Sequence, residues 1–264
     1  MTEEELILTS VLKCRRIDLY AQELALSENE RNMISAIETR RQAKEPLQYI
    51  LNTCEFMGLD FFVDHRVLIP RPETELLAQA VCDHMIGNPK KNLRVLDIGT
   101  GSGNIIISLA KRFPQNEFYA IDASSDALAV AKMNAQKHHV AGRIDFLKVD
   151  FLFDGDFFSR EEKFDIIISN PPYIRTGELS VLQQEVQQEP RIALDGGGDG
   201  LCFYRRIALA SPQLLTPDGI LFLEIGQGQD EEVGGILSTL GGLRVEECIK
   251  DYSQIKRIMI AQRN

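Results

Sequence analysis

No two cysteines of this chain form a CxxC pair and no histidine falls at metal-ligand spacing, so the sequence offers no metal centre. The five cysteines, Cys14, Cys54, Cys82, Cys202 and Cys248, read as reduced thiols in or near a core, as in cytosolic proteins. Of the four histidines, the adjacent His138 and His139 follow a predicted helix and read as a solvated helix end. The N-terminus, acidic at Glu3-Glu4-Glu5, lacks the apolar core of a signal peptide, and no hydrophobic run approaches membrane-spanning length. A cytoplasmic location and no membrane partner are expected. Basic runs are also missing, none being longer than pairs such as Arg15-Arg16, Arg40-Arg41, Lys90-Lys91 and Arg205-Arg206. With a net charge of -10, the chain has no sign of the basic face that a duplex-binding protein carries. Residues 1–64 hold 7 Lys+Arg against 12 Asp+Glu, so this region is not a phosphate-binding arm by composition.

The chain's 264 residues leave room for about two domains, and 44% hydrophobic residues supply a sizeable core. Apolar residues recur at helical spacing over 6–12 and 18–26. Ser27 and Glu30 form a capping box for a third helix with a buried stripe of Met33, Ile34 and Ile37, limited by Pro46. Residues 56–70 alternate loosely around Gly58-Leu59-Asp60, which predicts a hairpin between domains. The expected division is a helical domain over 1–54, a linker hairpin over 55–74 and a catalytic domain over 75–264. Within the last, helices are predicted near 75–85, 104–112, 125–138, 200–210 and 230–240. Strands are predicted near 94–98, 118–121, 144–149, 164–169, 220–225, 244–249 and 255–261. This alternation argues an α/β fold with a mostly parallel sheet and helices on both faces. The last two strands are too close for a crossover helix and should form an antiparallel hairpin.

The run Val95-Leu96-Asp97-Ile98-Gly99-Thr100-Gly101-Ser102-Gly103 is a strand passing through a glycine turn into a helix. Its glycines are spaced GxGxG, whereas a dinucleotide site spaces them GxGxxG to seat a pyrophosphate on the helix N-terminus. The second strand ends in Asp122, placed to accept hydrogen bonds from both hydroxyls of a ribose. The third ends in Asp150-Phe151, a carboxylate for an adenine amino group and a ring to cover its face. A nucleoside without a pyrophosphate fits this set, and S-adenosylmethionine is such a ligand. The combination resembles the Rossmann-like methyltransferases. Asp97, Gly99, Thr100, Gly101, Gly103, Asp122, Asp150, Phe151 and Asn170 are the candidate cofactor-binding residues. Asp97 has either of two roles, supporting the glycine loop or holding the methionine amino group.

Asn170-Pro171-Pro172-Tyr173 follows the apolar run 164–169. Asn170 can accept one N–H of a planar amide or amidine and the Pro171 carbonyl the other, while the prolines fix φ near about -65°. Tyr173 offers a wall. These four are the candidate catalytic and substrate-binding residues. The run Asp195-Gly196-Gly197-Gly198-Asp199-Gly200 lacks a preceding strand and a following Lys-Ser/Thr, so it reads as a flexible loop beside the cleft and not as a phosphate loop.

Three segments together, Glu45-Pro46-Leu47-Gln48-Tyr49-Ile50, Val67-Leu68-Ile69-Pro70-Arg71-Pro72-Glu73-Thr74-Glu75 and the tetrad continuing to Ile174, resemble the HemK/PrmC-type peptide chain release factor glutamine methyltransferases over nearly the whole length. The resemblance implies a class I methyltransferase sheet with a C-terminal antiparallel hairpin and a small helical domain that binds release factor. It implies methylation, by S-adenosylmethionine, of the glutamine side-chain amide in a Gly-Gly-Gln motif, by a monomer that needs no nucleic acid. It also places Arg71 and Glu73 at the border of cofactor and substrate glutamine. Two alternatives are an adenine-N6 nucleic-acid methyltransferase, which shares the tetrad and would hold a flipped base on Tyr173, and a non-catalytic S-adenosylmethionine-binding regulator.

Overall fold

A computed structural model describes residues 2–21, 25–88, 90, 92–155, 157 and 161–263. The chain opens with helices α1 (Glu3–Leu12), α2 (Asp18–Ala21), α3 (Glu28–Gln42) and α4 (Leu47–Leu51). Capping boxes start both long helices, Thr2 with Glu5 on α1 and Ser27 with Glu30 on α3. The helical spacing over 18–26 is realised in α2, and its residues 22–24 lie outside the described ones. Ile7, Val11 and Leu47 form a small core against which Ile34 and Ile37 pack half-buried. The third residue of the expected stripe is different: Met33 is 52% exposed. The small helical unit covers only one narrow edge of α3, and Met33 lies outside it.

Strands β1 (Cys54–Phe56) and β2 (Leu59–Phe61) then form an antiparallel hairpin. Met57 and Gly58 both have positive φ, as a two-residue type I′ turn demands. The hairpin is tied down by α7 (Ser125–Lys137). The fully buried Asn134 accepts from Phe62 N at 2.7 Å and donates to Phe62 O at 3.0 Å and to Ser102 O at 2.9 Å. His138 is a correction to the solvated pair: it is buried, with Nε2 3.0 Å from Asp60 O and its ring tilted against Phe61. Of the pair, His139 is the exposed member.

The remaining elements are α5 (Pro72–Gly87), β3 (Arg94–Ile98), α6 (Asn104–Arg112), β4 (Glu117–Asp122), β5 (Ile144–Lys148), β6 (Phe164–Ser169), α8 (Cys202–Leu214), β7 (Leu215–Glu224), α9 (Asp230–Gly241), β8 (Leu243–Lys250) and β9 (Lys256–Arg263). They build a seven-stranded sheet in the order β5-β4-β3-β6-β7-β9-β8. All neighbours are parallel except β9, which runs antiparallel to both β7 and β8, so the expected terminal hairpin is present with β9 inserted. The central strands are largely apolar because helices cover both faces, although Asp97 of β3 and Asp165 of β6 interrupt the pattern. Residues Val95, Leu96, Ile166, Ile167 and Ile168 have no exposed surface, and α6 is buried from Asn104 to Ala110. Core packing of this kind holds the strand ends in register, and the chemistry-bearing residues all lie at one end.

Candidate functional site

The carboxyl ends of β3, β4 and β6 converge because the sheet order brings those strands side by side. Gly99 N and Thr100 N both donate to Ile121 O, at 2.9 and 3.0 Å, and Val149 N donates to Asp122 O at 3.0 Å. Ser169 Oγ donates to Ile98 O at 2.8 Å. These bonds stitch the loops after the three strands into one rim around a cavity of about 590 Å³. Gly99, Gly101, Asp122, Asp150, Phe151, Asn170, Pro171 and Pro172 line it. Gly99 and Gly101 have positive φ, and a Cβ on either would meet no protein atom within 4 Å. The glycines hold the backbone in a conformation that other residues rarely adopt and leave the space above it open.

Asp97, Thr100 and Gly103 are buried behind that loop. Thr100 Oγ1 donates to Asp97 Oδ2 at 2.7 Å, and a Cβ on Gly103 would strike the Ile107 side chain at 2.7 Å. Burial drives the Asp97 carboxyl up to about 7; the Thr100 hydroxyl counters this and the nearby Asp122 charge adds to it. Asp122 accepts Gly101 N and Ser124 N, both at 2.9 Å. Its pKa is also raised by burial, against the pull of those two backbone donors. No lysine or arginine among the described residues is ion-paired with either carboxylate, so the rim favours a ligand carrying positive charge.

The tetrad is held from two sides. Asn170 Nδ2 donates to Thr74 Oγ1 at 3.0 Å, and that hydroxyl donates to Glu224 Oε2 at 2.7 Å. Thr74 stands in the first turn of α5, where Pro72 fits because an N–H there has no helical acceptor. Glu224 ends β7, only 2% exposed, and burial lifts its carboxyl to about 7 against the bond from Thr74. Tyr173 is largely buried, its hydroxyl pKa raised by desolvation and by the Glu224 charge.

The glycine run from 195 to 200 lies beside the cleft, as expected, and is tied down by hydrogen bonds. Gly196 N donates to Ile174 O at 2.8 Å, Thr176 N to Gly197 O at 2.9 Å, and Ile174 and Asp195 form a parallel bridge. A Cβ on Gly200 would fall 2.5 Å from Tyr173 O, and one on Gly196 would fall 2.8 Å from Tyr173 Cα. Only glycine lets this segment press against the tetrad backbone. Gln229 completes the clamp, with Nε2 donating to Tyr173 O at 3.1 Å.

Arg71 and Glu73 stand apart from the cavity lining. The Arg71 guanidinium is ion-paired with the buried Glu189, which also accepts Ile69 N at 3.0 Å. Glu73 is half-buried beside them. The segment does reach the cavity earlier, through Arg66, Val67 and Leu68. Cys202 is exposed and lines the cavity, unlike the core thiol expected. Thr74, Glu189 and Glu224 were missed by sequence reasoning. Thr74 stands within a motif singled out for its neighbours, and nothing local marks the two glutamates. No group of histidines, cysteines and carboxylates able to hold a metal ion occurs among the described residues. Nor is any helix among them long and apolar enough to cross a membrane.

Residues 2–51 match the family described as PrmC N-terminal domain, and residues 89–233 match the family described as Methyltransferase domain. The release factor glutamine methyltransferase of Clostridium acetobutylicum is 41% identical over 100% of this chain and 91% of its own length. That of Geobacter sulfurreducens is 42% identical over 90% of this chain and 81% of its own. Among solved structures, a methyltransferase from Pyrococcus furiosus aligns with TM-score 0.56 and 16% identity, covering 90% of this chain and 100% of that one. TrmN from Thermus thermophilus aligns with TM-score 0.52 and 21% identity, over 72% of this chain and 48% of that one. Both share the fold.

Proposed function

This chain belongs to the release factor glutamine methyltransferases, and from that premise we propose how its site carries out the transfer. It is an S-adenosylmethionine-dependent methyltransferase acting on a glutamine of peptide chain release factors. The open space above Gly99 and Gly101, with the carboxylates of Asp97 and Asp122 nearby, suits that cationic nucleoside. Gly99, Gly101, Asp122, Asp150 and Phe151 hold it, Asp122 toward the ribose and Asp150 with Phe151 toward the adenine. Asp97, Thr100 and Gly103 keep the loop in shape. Bound there, S-adenosylmethionine supplies a methyl group on a positively charged sulfur.

The acceptor is the side-chain amide nitrogen of the glutamine, in a Gly-Gly-Gln loop whose glycines allow close approach of the backbone. An amide nitrogen is a weak nucleophile, its lone pair being delocalised into the carbonyl. Asn170 Oδ1 and the Pro171 carbonyl each accept one of its N–H bonds, which orients the nitrogen and stabilises the positive charge that grows on it during attack. Tyr173, Arg71 and Glu73, which lie outside the cavity lining, act from behind it, supporting the slot and its entrance. A proton leaves the nitrogen after transfer, so no strong base is required. The observation that carries this reading is the position of Asn170: it lines the cavity just past the end of β6, beside the rim formed by β3 and β4.

The helical unit grips the release factor, and the enzyme works in the cytoplasm as a monomer without nucleic acid or membrane. Incubation with isotopically labelled S-adenosylmethionine and release factor, followed by mass spectrometry, should show one methyl on that glutamine and none after its replacement by glutamate. Label in adenine of DNA or RNA, with release factor unmodified, would overturn the reading.

A further inference from the structure

We propose that Thr74 and Glu224 are positioning residues that set which end of the Asn170 amide faces the acceptor. The proposal deepens the function given above and rests on it.

An asparagine side chain has a donor end and an acceptor end of nearly equal shape, and only the acceptor end can hold an N–H of the substrate amide. Something must therefore distinguish the two ends. The ionised Glu224 carboxylate can only accept, so the Thr74 hydroxyl, 2.7 Å away, must spend its single proton on it. The Thr74 oxygen is then left as an acceptor, and the Asn170 group 3.0 Å from it has to be the NH2 end. The carbonyl end of Asn170 remains for the ligand. Direction thus passes from Glu224 to Thr74 to Asn170, across sequence separations of 150 and 96 residues.

The relay is held rigidly at each member. Thr74 is 3% exposed and lies in the first turn of α5, its N–H bonded to Arg71 O at 3.1 Å. Tyr204 Oη donates to the Glu224 main-chain carbonyl at 3.1 Å. Besides Thr74, the groups facing the Glu224 carboxyl are Glu73, Arg257 and the Tyr173 hydroxyl, and Arg257 is itself paired with Asp251 at 3.0 Å. Burial raises the Glu224 carboxyl to about 7. When it gains a proton, it can donate to Thr74, the hydroxyl is free to turn toward Asn170, and the amide end is no longer dictated.

The test compares wild type with Thr74→Val, Thr74→Ser and Glu224→Gln in methylation of intact release factor. Valine keeps the shape of threonine and removes the hydroxyl, so kcat should fall about tenfold, the worth of one well-placed hydrogen bond. The Michaelis constant for release factor and the calorimetric affinity for S-adenosylmethionine should stay within about threefold, a discrimination well below that loss. Thr74→Ser should recover most of the loss. Wild-type kcat, measured at saturating S-adenosylmethionine so that protonation of Asp97 at the cofactor loop does not enter, should decline on the acid side as Glu224 takes up its proton, and Glu224→Gln, which does not titrate, should lose that acid limb. Thr74→Val turning over like wild type, or an acid limb unchanged in Glu224→Gln, overturns the relay. Should Thr74→Val fail to fold by circular dichroism, the serine and glutamine variants decide. Wild-type protein that leaves release factor unmethylated overturns the function itself.

Discussion

At the scale of single residues, the proposed site divides binding from chemistry between two strand ends, that of β4 at Asp122 and that of β6 at Asn170, with β3 between them. Asp122 accepts hydrogen bonds beside the glycine loop, whereas Asn170 is the residue proposed to meet the acceptor amide. Asp122→Ala should therefore weaken S-adenosylmethionine binding by roughly 1.5–3 kcal/mol, the usual worth of hydrogen bonds to a charged group. Asn170→Ala should leave that affinity nearly unchanged and lower kcat about a hundredfold, as loss of one preorganised polar group at a reacting centre does. Calorimetry and steady-state rates on the two variants separate the effects, and a matching loss of affinity in both would refute the division. Both residues were legible in the sequence because each closes an apolar run, where a ligand in a parallel sheet must lie. Thr74 and Glu224 were not. Their significance depends on a bond spanning 150 residues, and no local pattern announces that pairing.

At the scale of elements, the sheet was readable because its central strands are short, largely apolar and mostly separated by helical repeats. The segment 175–200 was not, since its structure depends on close contact with something outside it. Its conformation follows from the tetrad backbone it presses on, and Gly200 marks the contact, with φ of 76° and no room for a Cβ. Gly200→Ala should destabilise the protein by about 1–3 kcal/mol through backbone strain and displacement of Tyr173. Turnover should fall with it. Gly198→Ala is the control, since a Cβ there meets nothing within 4 Å. Thermal unfolding and kcat measured on both should separate them, and equal behaviour would mean that the loop does not brace the tetrad. The exposure of Met33 has a related origin: helical spacing identifies a face, but the extent of its cover depends on partners that a small helical unit does not supply in full.

For the whole molecule, two buried carboxyls, Asp97 and Glu224, make stability depend on pH in the direction opposite to the common one. Each is raised to about 7 in the folded chain, so between about 4 and 7 the folded state holds more protons than the unfolded. Stability from these groups is thus greatest near the lower end of that window and declines as pH rises through it. His84 and His138, both lowered by burial, act in the opposite sense, so the difference between wild type and Asp97→Asn isolates the carboxyl. The melting temperature of wild type relative to Asp97→Asn, which keeps an acceptor for Thr100, should fall as pH rises from about 5.5 to 8, and a difference that stays constant over that interval would contradict the assignment. The same buried network bears on how relatives with different substrate preferences could be recombined. The segment entering α5 carries Ile69 and Arg71, both tied to Glu189, and Thr74, tied to Asn170. Although it precedes the sheet in the chain, it belongs mechanically to the reacting centre. A crossover between two relatives placed ahead of β1 would exchange the helical unit and leave these contacts intact, whereas one placed inside α5 would join a donor's threonine to a stranger's asparagine.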